Sequence, residues 1–149
     1  MTEHLASTAS NSAGQQPGDG PLCTLHVCTS CRPPGAAREP ADARPGFRLY
    51  QELREAFRES PLGERVQVKP AECLSICPRP CGIALSLPGS WTYLFGDQQP
   101  QKTTGDVVEC VGLYLKTREG AMARDSRPKA LRRSILGRVP PLPAGDVCT

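Results

Sequence analysis

The chain has 149 residues, which suffice for about one domain with a core of modest size and exclude a large multidomain enzyme. Its 14 Gly and 16 Pro predict long irregular segments, so the folded part should be smaller than the chain. The net charge of +3 is too small to indicate a nucleic-acid partner.

Two further features bear on where the protein works. No window approaches the ~18 apolar residues needed to cross a bilayer, so no membrane partner is expected. The first 20 residues have neither the basic start nor the apolar stretch of a secretory signal, which favours a cytoplasmic protein. The eight cysteines must then be explained in a reducing compartment, where metal or redox chemistry is commoner than disulfide bonding.

The N-terminal half predicts a strand, a helix and a second strand. Residues 1–20 carry almost nothing apolar to bury, so we expect a disordered leader. Residues 22–28 alternate between apolar and polar side chains, as a strand does. Apolar side chains follow helical spacing over 47–57, and alternation returns over 65–69.

The C-terminal half begins with a predicted hairpin. Residues 82–87 and 91–95 are short apolar runs separated by Pro88-Gly89-Ser90, a combination that favours two antiparallel strands. Thr104 is placed to cap a second helix that extends to about Arg118.

These elements predict an α/β domain over residues 21–118, with two main helices on one four-stranded mixed sheet. Residues 119–149 are basic and rich in proline, and we expect an irregular tail packed on or beside the domain. Only Leu131, Ile135 and Leu136 in this tail have the spacing of a short helix.

Four cysteines form two closely spaced pairs, each directly after a predicted strand. Cys28 and Cys31 are separated by two residues, and Cys73 and Cys77 by three. Such pairs can place two sulfurs on one metal, and four thiolates complete a site. Because strand–helix–strand folding brings both loops to one end of the sheet, we predict that these four cysteines converge on a cluster or a metal ion.

The remaining cysteines receive other interpretations. Cys81 follows Pro78 and Pro80, which forbid a continuous helix with the second pair, so we interpret it as a neighbour of the site and a possible substitute ligand. Cys23 and Cys110 lie among apolar residues of predicted elements and should serve packing. The sequence contains no Ser-His-Asp constellation and no glycine-rich phosphate loop, so a carrier or binding protein is favoured over an enzyme.

Several motifs carry a family resemblance. Leu25–Thr29, Glu72–Cys77 and Trp91–Phe95 resemble the thioredoxin-like [2Fe-2S] ferredoxins over about residues 21–118. The runs Val27–Gly35 and Cys73–Cys81, together with Trp91–Asp97 and Gly137–Pro141, are similar to an uncharacterised bacterial family of predicted metal-binding proteins.

The ferredoxin resemblance implies a thioredoxin-like fold and a [2Fe-2S] cluster held by Cys28, Cys31, Cys73 and Cys77. The protein would then transfer electrons to or from a redox partner. Resemblance to the second family implies a metal-handling partner and an association with metal or cobalamin metabolism.

Two alternatives stay open on the same cysteines. The ferredoxins place more residues between their first two ligands than the two found here, and a four-thiolate zinc or metal-delivery site fits the shorter spacing. The third hypothesis is a dithiol oxidoreductase that uses Cys28 and Cys31, although Pro33, Pro34 and Gly35 delay the helix start that activates such thiols.

Overall fold

The computed structural model describes residues 22–32, 35, 40–77 and 79–142. The expected leader, residues 1–20, lies outside these ranges, as does Cys148 in the last residues of the chain. No helix in the described ranges is long and apolar enough to cross a membrane.

Five strands form one mixed sheet in the order β2-β1-β3-β4-β5. The β1 and β2 strands run parallel, and the other neighbouring pairs are antiparallel. In chain order the strands are β1 (Cys23–Cys28), β2 (Val66–Ala71), β3 (Ile83–Ser86), β4 (Thr92–Phe95) and β5 (Ile135–Val139).

Two long helices and one short helix accompany the sheet. They are α1 (Pro45–Arg58), α2 (Thr104–Lys116) and α3 (Ala130–Arg133). Pro45 suits the first turn of α1, where a backbone N–H has no helical partner. The α2 cap lies at Thr103, one residue before the expected Thr104, whose hydroxyl instead donates to Glu52 Oε1 of α1 at 2.9 Å.

The core lies between the two long helices and one face of the sheet. Alternate residues of β1 are fully buried, and every third or fourth residue of α1 joins them, as the sequence pattern predicts. The α2 helix adds Val107, Val111 and Tyr114 to the same cluster. The result is a two-layer α/β arrangement built on a β1–α1–β2 crossover.

The sheet has one strand more than the four expected. The fifth strand comes from the segment for which we expected an irregular tail, where Ile135 and Leu136 were expected in a short helix with Leu131. That helix ends at Arg133, and the next residues pair with β4 instead. A register shift at the Leu94/Phe95 position interrupts the pairing of β4 with β5. Such a shift also breaks the alternation by which a short strand is recognised in a sequence.

Candidate metal centre

The two cysteine segments leave the sheet side by side. Cys28 ends β1 directly opposite Ala71 at the end of β2. Because these strands are parallel, their following loops lie at the same sheet edge. Thr29 donates its backbone N–H to Ala71 O at 2.8 Å, and the Ser30 hydroxyl donates to Glu72 O. The loop that contains Cys31 is therefore fastened to the segment that precedes Cys73.

The start of α1 holds Cys28 and Cys31 in place. Gly46 donates its N–H to Cys31 O at 3.1 Å. A Cβ atom at Gly46 would lie 2.2 Å from Cys28 O, so only glycine permits this approach between helix and loop. The two cysteines are 2% and 3% exposed, respectively.

The thiols of Cys28 and Cys31 contact each other. The Cys31 thiol donates to the Cys28 sulfur, and this hydrogen bond is the main cause of a lowered pKa at Cys28. The backbone amides of Leu74 and Ser30 also lower the pKa of Cys28. The pKa of Cys31 is raised because this thiol holds the shared proton and is buried. The pair therefore loses one proton, and so carries one negative charge, more readily than two isolated buried thiols would.

Cys73 and Cys77 lie on the neighbouring segment with exposed side chains. The residues between them alternate: Leu74 and Ile76 are half-buried, whereas Ser75 is exposed. A Cβ atom at Gly82 would lie only 1.5 Å from Ile76 Cδ1, so the absence of a side chain there lets Ile76 pack against the backbone. The inward Leu74 and Ile76 thus anchor the segment, while both thiols face outward.

Cys81 is the third cysteine beside the buried pair. Its backbone N–H and that of Gly82 lie near the Cys31 sulfur and oppose the rise in the pKa of Cys31. Burial, with the nearby Cys28 charge, raises the pKa of the Cys81 thiol to about 11. Cys81 has a φ of 61°, a conformation that residues with a side chain rarely adopt. The sequence predicts Cys81 as a neighbour of the site and a substitute ligand, and the fold places it near Cys31.

The described residues contain no group of three or more His, Cys, Asp or Glu side chains already arranged to hold a metal ion. Among the predicted ligands, the structure brings Cys28 and Cys31 together and places the Cys73–Cys77 segment against them with its thiols outward. Ligation by all four residues stays a prediction. Cys23 and Cys110 are buried in the core, where burial raises the pKa of each thiol to about 12.

Two arginines lie near the cysteines of this site. Arg32 follows Cys31, and its Nη1 atom is buried without a hydrogen-bond partner in the described structure. Arg48 of α1 lies close enough to Cys81 for its charge to oppose the rise in that thiol's pKa. These cations and the inward amides suit a centre that carries net negative charge.

The fold is similar to that of solved thioredoxin-like ferredoxins. A thioredoxin-like [2Fe-2S] ferredoxin from Aquifex aeolicus superposes with a TM-score of 0.52 at 21% identity, over 85% of this chain and 98% of its own. A second structure, of the wild-type Aquifex aeolicus protein, gives 0.51 at 21% identity, over 78% and 97% of the two chains. A cysteine-to-serine variant of that ferredoxin gives 0.51 at 20% identity, over 78% and 99%. The thioredoxin-like fold predicted from the sequence is thus confirmed.

The sequence itself defines the family. A model described as "Protein of unknown function (DUF1636)" matches residues 25–141, and the chain belongs to that family. The match includes both cysteine pairs and extends through β5. No curated protein matches the sequence significantly.

Proposed function

We propose that this protein is a one-electron carrier that holds a [2Fe-2S] cluster through Cys28, Cys31, Cys73 and Cys77. The observation that carries the proposal is a pair of hydrogen bonds, from Thr29 N to Ala71 O at 2.8 Å and from the Ser30 hydroxyl to Glu72 O, because they join the two cysteine segments at one edge of a ferredoxin-like fold. Only the second pair faces outward, and Cys73 directly follows Glu72 in the chain.

The donor set suits such a cluster. All four predicted ligands are free thiols, and iron–sulfur clusters are held by thiolates. Backbone amides of Ser30, Leu74, Cys81 and Gly82 lower the pKa values of the buried pair, and hydrogen bonds to ligand sulfurs stabilise thiolate charge. The unpaired Nη1 of Arg32 adds a donor near the same loop.

When bound, the cluster supplies a site that gains or loses one electron. The residues of this chain divide the remaining tasks. Cys28 and Cys31 anchor one side in the protein interior, where burial excludes water. Cys73 and Cys77 are on the exposed side, where a redox protein partner in the cytoplasm could approach.

The test is metal analysis of the full chain purified without air. We expect iron and acid-labile sulfide in equal amounts, with the visible absorption of a [2Fe-2S] cluster. Cys73→Ser and Cys77→Ser should each abolish cluster retention. Cys110→Ala is the matched control, because Cys110 packs against Met122 in the core and should leave the iron content unchanged.

Full iron content after loss of Cys73 would show that the ligand assignment is wrong. The Cys81→Ser variant then tests whether Cys81 is a ligand in place of Cys73 or Cys77, since Cys81 lies beside Cys31. A colourless protein without iron would contradict the proposal altogether.

A zinc or metal-delivery site is the second candidate, favoured by the two-residue spacing of Cys28 and Cys31. An exposed Cys73–Cys77 pair would then pass the ion to a metal-handling partner. One zinc per chain, with no visible absorption, would support this function.

The lowered pKa of Cys28 favours a third candidate, a dithiol oxidoreductase. An oxidoreductase of this kind requires a nucleophilic thiol that a substrate can reach, whereas Cys28 is only 2% exposed. Alkylation of Cys28 before Cys73 in the metal-free protein would support the dithiol function over the other two.

A further inference from the structure

A pocket lies away from the two cysteine pairs, between the chain that follows α2 and the edge strand β5. Its volume is about 440 Å³. Three arginines line it, together with apolar side chains, and no lining residue is acidic; the arginines are Arg124, Arg127 and Arg138. Met122 and Ile135 are the largest apolar residues in this lining.

Arg127 is the unusual member of this lining. It is only 5% exposed. Its Nε donates to Leu131 O at 3.1 Å, and its guanidinium lies 6.0 Å from the centre of the Tyr93 ring. No carboxylate pairs with Arg127 anywhere in the described part of the chain. Burying a guanidinium without a counter-ion is costly, and an anion in the pocket would offset that cost.

The irregular pairing of β4 and β5 places Arg138 on the same face of the sheet as Ile135. Phe95 pairs with Ile135, whereas Tyr93 pairs with Arg138. Since Tyr93 and Phe95 share one face of β4, their partners share the corresponding face of β5, although two residues separate them. The Arg138 guanidinium stacks 4.1 Å from the centre of the Trp91 ring, which restricts its position before any ligand binds.

We propose that this pocket binds a small organic phosphate monoester. Its charged group would be held by the three arginines, and its apolar part would lie against Met122 and Ile135. Guanidinium groups recognise phosphate oxygens through paired N–H donors. The nearest acidic residue in sequence, Asp125, lines the adjacent cleft with Lys129 and does not enter this lining.

The experiment titrates the full chain with phenyl phosphate, inorganic phosphate and, as a neutral control, phenol. We expect saturable calorimetric binding of phenyl phosphate at one site per chain, weaker binding of inorganic phosphate and none of phenol. Arg124→Ala and Arg138→Ala should each weaken phenyl phosphate binding by about tenfold or more, the effect of losing one charge-assisted contact.

Arg54→Ala is the matched control. It removes one exposed cation from α1, which does not line the pocket, and should change the dissociation constant less than twofold. Trp91 is the only tryptophan of the chain and stacks on Arg138, so its fluorescence should change when inorganic phosphate binds. The midpoint of that change should equal the midpoint of the calorimetric titration with inorganic phosphate. Thermal melting without ligand establishes that each variant is folded.

Three results would overturn the proposal. The first is the absence of saturable binding of either phosphate. The second is an equal loss in Arg54→Ala and Arg138→Ala, which would mean general charge attraction. The third is binding of a polyglutamate peptide but of neither small anion, which would make these arginines a docking surface for an acidic protein.

Discussion

Replacing Gly46 by alanine tests the contact that positions the buried cysteine pair. The new Cβ would lie 2.2 Å from Cys28 O and 3.0 Å from Cys31 N. Both neighbours are backbone atoms, so the loop itself must move. Alanine also favours helix by about 0.5–1 kcal/mol over glycine, whereas forced overpacking costs about 1–3 kcal/mol. We expect a net loss of about 1–2 kcal/mol in the free energy of unfolding.

The assay is urea unfolding of the metal-free full chain under reducing conditions, accompanied by iron and zinc analysis of protein purified without air. Gly105→Ala is a close control, because Gly46 and Gly105 are the second residues of α1 and α2. A Cβ atom at Gly105 would meet no heavy atom within 4 Å. That variant should match the unchanged protein or gain up to about 1 kcal/mol.

Metal content gives a second readout. Displacing the loop at Cys28 and Cys31 should lower metal retention in Gly46→Ala and leave it unchanged in Gly105→Ala. If the two alanine variants have equal stability and equal metal content, the close approach of α1 is not what positions the pair, and the reasoning is refuted.

Three further predictions concern the surrounding fold, each measured by urea unfolding. Raising the pH from 8 to 10 should lower the free energy of unfolding of the unchanged protein by about 1 kcal/mol more than that of the Cys110→Ala variant. The pKa of the Cys110 thiol rises from 9.0 to about 12 on folding, so its stabilising effect is lost as the pH rises from about 9 towards 12. Equal pH dependence of the two proteins would contradict this. Glu52→Ala should cost about 1 kcal/mol, since Glu52 accepts from Gln101 N and Thr104 Oγ1 at the start of α2; Glu55→Ala, on the exposed face, is its control. Tyr93→Phe should cost about 1–3 kcal/mol by leaving the buried Met122 N–H without its acceptor, and no change would show that water replaces the hydroxyl.

The main elements could be predicted because each has an uninterrupted period. The β1 strand alternates through its length, and the buried positions of α1 recur at helical spacing. The parallel pairing of β1 with β2 then follows from the intervening helix. This reasoning placed Cys28 and the segment leading to Cys73 at the same sheet edge, where the structure has them.

The orientation of the second pair was not predicted, although the sequence contains a signal for it. In Cys73-Leu74-Ser75-Ile76-Cys77 the apolar residues alternate with the cysteines, so burial of Leu74 and Ile76 turns both thiols toward solvent. The proximity of Cys81 to Cys31 has no such local signal. It depends on the pairing of β1 with β3, in which Val27 lies opposite Ile83.

The segment after α2 is connected by hydrogen bonds to the backbone of Cys81. Ser134 O accepts from Gly96 N at 2.8 Å, and the Ser134 hydroxyl accepts from Gln98 Nε2 at 3.1 Å. Gln98 N in turn donates to Cys81 O at 3.2 Å, so a continuous set of hydrogen bonds connects the end of α3 with the backbone beside Cys31.

Arg79 provides a second connection between the same two regions. Its guanidinium pairs with Asp97 and donates to Arg133 O at 3.2 Å. An exposed ion pair contributes little stability by itself, about 0–1 kcal/mol, so its effect here is to orient the chain between Cys77 and Cys81. The family match through residue 141 therefore spans one structural unit, because the strand and helix that follow residue 118 help to determine where the outer cysteine segment lies.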